Sequence, residues 1–138
     1  MKSIIRRSLV VIIVLFSFTC LILITYGQDV KEWVVPIKYK NMINPAADNT
    51  KDLPIGKDLY NKHCKSCHGK EGFGDGTKAA NLDTPCGDFS SEEFQAQTDG
   101  ELFYKTSSGR DEMPAFEKII KDPEDRWLII NYLRTFKE

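Results

Sequence analysis

The feature that most constrains this chain is the pentapeptide Cys64-Lys65-Ser66-Cys67-His68, a C-x-x-C-H sequence. Residues three apart lie on the same face of a helical turn. Two thiols placed in this way can each add to one vinyl group of a haem, and the histidine that follows can bring its imidazole beneath the iron. The pentapeptide therefore predicts an attachment site for one haem c, bound covalently through two thioethers.

Three other interpretations of the two thiols compete with haem attachment. A thioredoxin-like redox pair needs a βαβ context, and no alternating strand pattern surrounds the motif. A zinc site needs a second pair of ligands, and only His63 and Cys86 remain for it. A disulfide between Cys64 and Cys67 stays open, because an exported protein meets oxidising conditions.

The N-terminus has the pattern of an export signal. Residues 1–8 are short and basic, and residues 9–24 are apolar at all but two positions. Residues 8–28 carry no charge, and a bilayer is crossed by about 20 such residues. We therefore predict a signal peptide or N-terminal membrane anchor over residues 1–27, cleaved before Gln28 or retained. The remainder is exported, and is either periplasmic or anchored to the cytoplasmic membrane facing the periplasm.

Composition narrows the function classes open to the exported part. Residues 28–138 carry 16 Lys and Arg against 20 Asp and Glu, a net charge of −4. A mildly acidic chain argues against nucleic-acid binding, which normally requires a basic face. The remaining 111 residues suffice for one modest core and are too few for a large α/β enzyme.

The exported part divides into two segments. Residues 28–53 show no helical period and are predicted to form an extended arm or linker, although several apolar side chains indicate that part of it packs. Residues 54–138 form the domain that contains the motif. Its helix signals are an opening turn at Pro54, serine caps at residues 90 and 91, a helix over about 99–106, and an Asp122-Pro123 start that leads to Phe136. Residues 69–89 are glycine-rich and predict a long loop.

Residues 54–136 resemble class I monohaem c-type cytochromes, the bacterial cytochrome c family. Three segments carry the resemblance. The first is the helix that starts near Gly56 and ends in the C-x-x-C-H motif. The other two are the sequence T-D-G-E-L-F, which begins at Thr98, and the sequence G-R-D-E-M-P-A-F, which begins at Gly109. It implies an all-α, small cytochrome c-like helical fold with long loops around one haem, preceded here by an N-terminal apolar signal or anchor helix. It also implies that the first and last helices touch at Gly56, near Trp127 or Tyr132.

Members of this family usually bind the iron through one histidine and one methionine. The resemblance therefore implies that His68 and Met113 are the axial ligands. A thioether ligand raises the reduction potential relative to a second histidine. Met42 on the arm is the alternative ligand. Otherwise Met113 would only pack on the core, and Met42 would only anchor the arm through apolar contacts.

Several further residues have both a functional and an ordinary interpretation. Cys86 is a loop thiol or forms an intermolecular disulfide. Arg110 neutralises a haem propionate or is a solvated loop charge, and Tyr104 and Trp127 belong to the core or reach the propionates. A set of lysines around the motif forms either a docking rim or an ordinary solvated face: Lys57, Lys62, Lys65, Lys70 and Lys78.

Together these features predict an exported electron-transfer protein, not an enzyme, whose partners are redox proteins. It would bind no nucleic acid, and residues 8–28 offer a possible membrane tether. One alternative is an electron-transfer subunit of a larger respiratory oxidoreductase complex. Another is a haem-based ligand sensor, in which Met113 does not hold the iron.

Overall fold

Helices make up the regular structure of residues 32–137, the part of the chain that the computed structural model describes. This part contains no strand, which confirms the all-α prediction for the described residues. Its α-helices are α1 Ile37–Lys40, α2 Leu53–His63, α3 Lys65–His68, α4 Glu92–Gln95, α5 Asp99–Ser108 and α6 Pro123–Leu133. Short 3-10 turns lie at Ala79–Asn81, Phe116–Lys118 and Arg134–Phe136.

The predicted signal or anchor over residues 1–27 lies outside the described residues. Among residues 32–137, no helix has both the length and the apolar character needed to cross a membrane. One compact unit begins at Val34 and holds the helices α1 to α6.

Helices α2 and α6 cross at Gly56, as the resemblance implied. A Cβ atom on Gly56 would lie 2.1 Å from the carbonyl oxygen of Leu128, closer than any side chain tolerates. Only glycine therefore lets the two backbones approach this far. One turn further on, Tyr60 is completely buried and its ring packs 5.3 Å from the ring of Tyr132.

Helix α6 supplies much of the core. Asp122 caps its first turn by accepting a hydrogen bond from the Glu124 amide at 2.9 Å, and Pro123 occupies the first helical position. The buried residues that follow are Arg126, Trp127, Leu128, Ile129, Ile130 and Leu133. Because apolar residues occur in consecutive positions, α6 is buried around most of its circumference rather than along one stripe.

Helix α5 packs against α6 through aromatic rings. A capping box starts α5: the Glu101 amide donates to Thr98 Oγ1 at 3.2 Å, and the Thr98 amide donates to Glu101 Oε2 at 2.8 Å. The Phe103 ring then stacks on the Trp127 ring, with centroids 3.9 Å apart. The interpretation of Trp127 as a core residue fits this contact. The serine-capped start predicted near residue 90 produces only the single turn α4.

Part of the segment before α2 packs on α5. A Cβ atom on Gly100 would lie 2.0 Å from the carbonyl oxygen of Tyr39, so α1 lies directly against the first turn of α5. The ring of Tyr39 contacts the ring of Tyr104, with centroids 4.6 Å apart. The ring of Tyr104 is thus packed against α1.

A polar network fixes the same segment to the ends of α5 and α6. Asn44 is buried and donates to Asp99 Oδ2 and Asn131 Oδ1, both at 2.8 Å. Asn131 in turn donates to the carbonyl of Ala46 at 2.6 Å. Arg134 pairs with Asp99 at 2.7 Å. Residues far apart in sequence are thereby joined through satisfied buried polar groups.

Candidate haem-binding site

The C-x-x-C-H motif forms a helical turn at the end of α2. The amides of Cys67 and His68 both donate to the carbonyl of Cys64, at 3.1 and 2.9 Å, and the amide of Gly69 donates to Lys65 at 2.9 Å. Residues three apart in such a turn lie on the same face, and His68 follows immediately. This backbone conformation is compatible with two thioethers to a single haem.

Both thiols are shielded from water to different degrees. Cys64 is 9% exposed, and Cys67 is partly buried. Burial, followed by the proximity of Cys67, raises the pKa of Cys64 to about 12. The free Cys64 thiolate that disulfide exchange needs is therefore disfavoured, whereas an uncharged thioether suits the site.

The imidazole of His68 is the clearest sign that a group belongs at this turn. Its Nδ1 atom is buried without a hydrogen-bond partner, the only such side-chain atom among the described residues. The ring stacks on Phe89, with centroids 4.4 Å apart and planes 25° apart. Burial lowers the pKa of His68 to about 4, and a hydrogen bond with the backbone of Cys86 partly opposes this shift. A neutral imidazole with one buried, unpaired nitrogen is suited to bind a metal ion.

A glycine-rich loop holds the motif from outside. The amides of Gly74, Gly76 and Lys78 donate to the carbonyls of His68, Cys67 and Ser66, at 2.9, 3.1 and 2.8 Å respectively. A Cβ atom on Gly76 would lie 2.6 Å from the Cys67 carbonyl, so this approach requires glycine. From the other side, the buried hydroxyl of Tyr60 donates to the Gly69 carbonyl at 2.7 Å. Residues 74–78 of the loop predicted over residues 69–89 are therefore hydrogen-bonded directly to the motif.

Met113 lies at the end of a tight turn. Its amide donates to the Arg110 carbonyl at 2.8 Å, and the Arg110 amide donates back to the Met113 carbonyl at 3.0 Å. Gly109 precedes the turn with φ 63° and ψ 172°, a region that is essentially reserved for glycine. Met113 is partly buried and packs against the hydrophobic core cluster that also contains Cys64. Cys64 belongs to this core, His68 stacks on its member Phe89, and Met113 packs against it, although Met113 comes 45 positions after His68.

Arg126 is a residue of this region that the sequence analysis missed. It is only 8% exposed, and its Nε donates to Ser107 Oγ at 3.1 Å. Its Nη1 donates to the carbonyls of Ile120 and Lys121. Ser107 and Ile120 flank the stretch that carries Met113, so one buried guanidinium connects the two ends of that stretch. The available signal was a lone cation in the apolar sequence of α6.

The remaining candidates lie in less specialised surroundings. Met42 is on the arm, 36% exposed, beside α5. His63 makes an edge contact with Phe116, with ring centroids 6.3 Å apart. Arg110 pairs with Asp111 at 3.3 Å. Cys86 is partly buried and lines an open cavity of about 570 Å³ next to the motif loop.

The lysines around the motif lie on the surface. Each of the five is exposed: Lys57, Lys62, Lys65, Lys70 and Lys78. Lys70 pairs with Glu71 at 3.0 Å, an exposed contact of little energetic weight. A docking rim formed by these side chains stays a prediction.

Comparison with known families agrees with this arrangement. Residues 51–133, more than half of the chain, match the sequence model of one family. With the helical fold around the C-x-x-C-H turn, this match makes the chain a c-type cytochrome. It belongs to the family described as cytochrome C oxidase, cbb3-type, subunit III. A comparison with curated proteins finds no match.

Family membership carries general consequences. It implies covalently bound haem c, haem-based electron transfer and redox partner proteins. C-type cytochromes of this kind are typically exported.

Proposed function

We propose that this protein carries single electrons on one haem c that is attached through Cys64 and Cys67, with His68 and Met113 as the axial ligands of the iron. The observation that carries the proposal is the buried, unpartnered Nδ1 of His68, at the end of a turn that aligns two thiols. The family match adds independent support for haem.

The chain's own residues would each have a defined task. Haem c supplies the one-electron iron couple when it is bound. Cys64 and Cys67 fix its position covalently, and the motif turn orients the imidazole of His68. The hydrogen-bonded turn at Arg110 holds the thioether of Met113 on the same core.

With both axial positions occupied, no position on the iron is left for a substrate. We therefore propose a carrier and not an enzyme. The thioether of Met113 would keep the reduction potential above that of a site with two histidines.

We further propose that the chain is exported, with residues 1–27 as its signal or anchor. Their pattern of a basic start followed by an uncharged apolar run supports this proposal. Mass spectrometry of the protein purified from its own membranes would give the N-terminal residue. Haem-containing protein found only on the cytoplasmic side of the membrane would contradict export.

The ligand assignment is tested by optical spectra of oxidised and reduced holoprotein, with and without carbon monoxide. We expect a reduced c-type spectrum that carbon monoxide does not change, and a weak charge-transfer band from methionine to oxidised iron. Met113→Ala should keep the covalent haem, lose that band, lower the reduction potential and open the iron to carbon monoxide. Met42→Ala is the matched control and should behave as the unaltered protein.

Two results would overturn the ligand assignment. If Met113→Ala leaves the spectrum and the potential unchanged, Met113 is not a ligand. If the unaltered reduced protein binds carbon monoxide with a large spectral change, the sixth position is open, and a haem-based ligand sensor becomes the better proposal.

A second candidate function is an electron-transfer subunit within a larger respiratory oxidoreductase complex. The description of the matched family, which names an oxidase subunit, favours it. In that case the protein should co-purify with partner subunits in equal amounts after mild detergent extraction. Purification as a lone protein from native membranes would favour the independent carrier.

A further inference from the structure

The arm leaves its apolar side chains exposed to an unusual extent. Val34 is 75% exposed, Ile37 is 70% exposed and Ile43 is 86% exposed. No other large apolar side chain in residues 32–137 is as exposed as these three, which occur within ten residues of one another. Such a concentration marks an interaction surface rather than the scattered apolar exposure of any protein surface.

This exposure is not the result of a loosely attached segment. Val35 and Ala46 are each 6% exposed, and Asn44 is tied to α5 and α6 by two hydrogen bonds of 2.8 Å. The ring contact of Tyr39 holds α1 from the other side. The arm is therefore packed on the domain through some side chains while it presents the others outward.

The part of the arm that carries the exposed apolar side chains has charges of one sign, although the whole arm over residues 28–53 holds four acidic and four basic residues. Between Trp33 and Ala47 the chain contains Lys38 and Lys40 and no acidic residue. Lys38 lies over the ring of Tyr39, with 4.8 Å between its Nζ and the ring centroid. Lys40 reaches Glu101 on α5 at 3.7 Å and remains 45% exposed. Exposed aliphatic residues with interleaved lysines are the composition of segments that lie in an anionic lipid interface.

The position of the arm in the sequence points to the same occupant. The uncharged run over residues 8–28 ends only six residues before Val34. A fully extended chain spans at most about 3.6 Å per residue, so Val34 lies within about 22 Å of residue 28. Wherever this run is held in a bilayer, the exposed residues of the arm are within reach of the lipid surface.

We propose that the arm face, defined as Val34, Ile37, Lys38, Met42 and Ile43, rests on the surface of a bilayer that contains anionic lipid. The aliphatic side chains enter the interfacial region, and Lys38 lies among the phosphate groups. Because the arm is packed on α5 and α6, this contact fixes the orientation of the whole cytochrome domain relative to the membrane. The domain then does not swing freely on a tether.

The first test places a photo-crosslinking p-benzoylphenylalanine at position 43 of the full-length holoprotein in its own membranes. The matched control carries the same group at Ile119, which is 50% exposed and lies outside the arm. We expect a phospholipid adduct at position 43, with a yield at least about tenfold above that at position 119. An unchanged c-type spectrum verifies that each variant is folded, and position 37 replaces position 43 if that variant does not fold.

Two outcomes would overturn the proposal. A protein adduct in place of the lipid adduct at position 43 assigns the arm face to a partner protein. Equal yields of lipid adduct at positions 43 and 119 would show that the arm face has no preferred contact with lipid, and no adduct at either position would leave it in water. Neither readout depends on the ligands of the iron, so a failure here does not affect the proposed electron transfer.

The second test examines the charge requirement. The full-length holoprotein with the crosslinker at position 43 is reconstituted into phosphatidylcholine vesicles with or without phosphatidylglycerol. A single lysine near an anionic surface supplies about a fivefold preference, so Lys38→Gln should reduce the ratio of docked to undocked protein about fivefold in the anionic vesicles only. Lys57→Gln, on α2, is the control and should change nothing. Identical adduct yields in both vesicle types would refute a role for anionic lipid.

Discussion

The substitution Gly109→Ala tests how the fold positions Met113. Gly109 has φ 63° and ψ 172°, a backbone conformation open almost only to glycine. A Cβ atom there would lie 2.4 Å from the Met113 carbonyl oxygen, 2.5 Å from the carbonyl carbon of Pro114 and 2.6 Å from the Ala115 nitrogen. All three atoms belong to the backbone, so no side-chain rotation relieves the overlap.

The size of the effect follows from two separate costs. Holding a residue other than glycine in this conformation costs about 1–3 kcal/mol. Forcing a methyl group into packed backbone costs about 1–3 kcal/mol more. Together they approach the total stability of a small domain, which is about 5–15 kcal/mol. Moving the turn away from the core removes most of this cost, and the side chain of Met113 moves with it.

The chain contains a matched control for the conformational cost. Gly87 also has a positive φ of 73°, but nothing lies within 4 Å of the Cβ atom it would gain. Gly87→Ala therefore introduces the strained backbone conformation without the steric overlap. It should lower the free energy of unfolding by about 1–3 kcal/mol, or roughly 4–8 °C of melting temperature per kcal/mol.

The assay combines optical spectra with thermal unfolding of the holoproteins. Gly109→Ala should lose the charge-transfer band from methionine to iron, bind carbon monoxide when reduced, and unfold at a lower temperature than Gly87→Ala. Gly87→Ala should keep the band. The reasoning is refuted if Gly109→Ala retains the band and melts together with Gly87→Ala, because the close approach at Gly109 would then be irrelevant to the position of Met113.

Three further substitutions test the packing around the site. Gly56→Ala should lower the unfolding free energy by about 1–3 kcal/mol despite the better helix propensity of alanine, because the new methyl group meets the Leu128 carbonyl; unaltered guanidinium chloride unfolding would contradict this. In Arg126→Lys, the lysine side chain cannot reach all of the acceptors of the arginine, so the free energy of unfolding should fall by about 1.5–3 kcal/mol in the same assay. A decrease below about 0.5 kcal/mol would show that the hydrogen bonds of the guanidinium do not stabilise the fold. Asn131→Ala removes one of the two acceptors of the Asn44 amide and the donor to the Ala46 carbonyl. It should cost about 1–3 kcal/mol and speed proteolysis of the arm alone; unchanged cleavage there would disprove the anchoring role.

Local signals accounted for the elements that the sequence predicted well. The C-x-x-C-H turn is closed by hydrogen bonds between residues three and four apart, and the caps at Thr98 and Asp122 act within one helical turn. Interactions of this range depend on neighbouring residues alone, so the amino-acid order reveals them. The contact at Gly56 was predicted for a different reason, because the resemblance to a known family supplied the crossing partner.

Similar local signals did not determine how long each element is. The serine cap at Ser91 is present, but α4 stops after one turn at Gln95. The last helix is α-helical only to Leu133 and then tightens into a 3-10 turn that ends at Phe136. Tertiary packing decides such boundaries, because short helices gain most of their stability from the surface they bury.

The sequence by itself determined the C-x-x-C-H motif, the helical class of the domain and the start of each main helix. Only the tertiary structure decided that Asn44 bonds to Asn131, 87 residues away, and that Arg126 links Ser107 to Ile120. It also decided which side chains of the arm are buried and which are exposed. The physical reason is that buried polar groups are stable only when partners satisfy them, and those partners come together only after the chain has folded.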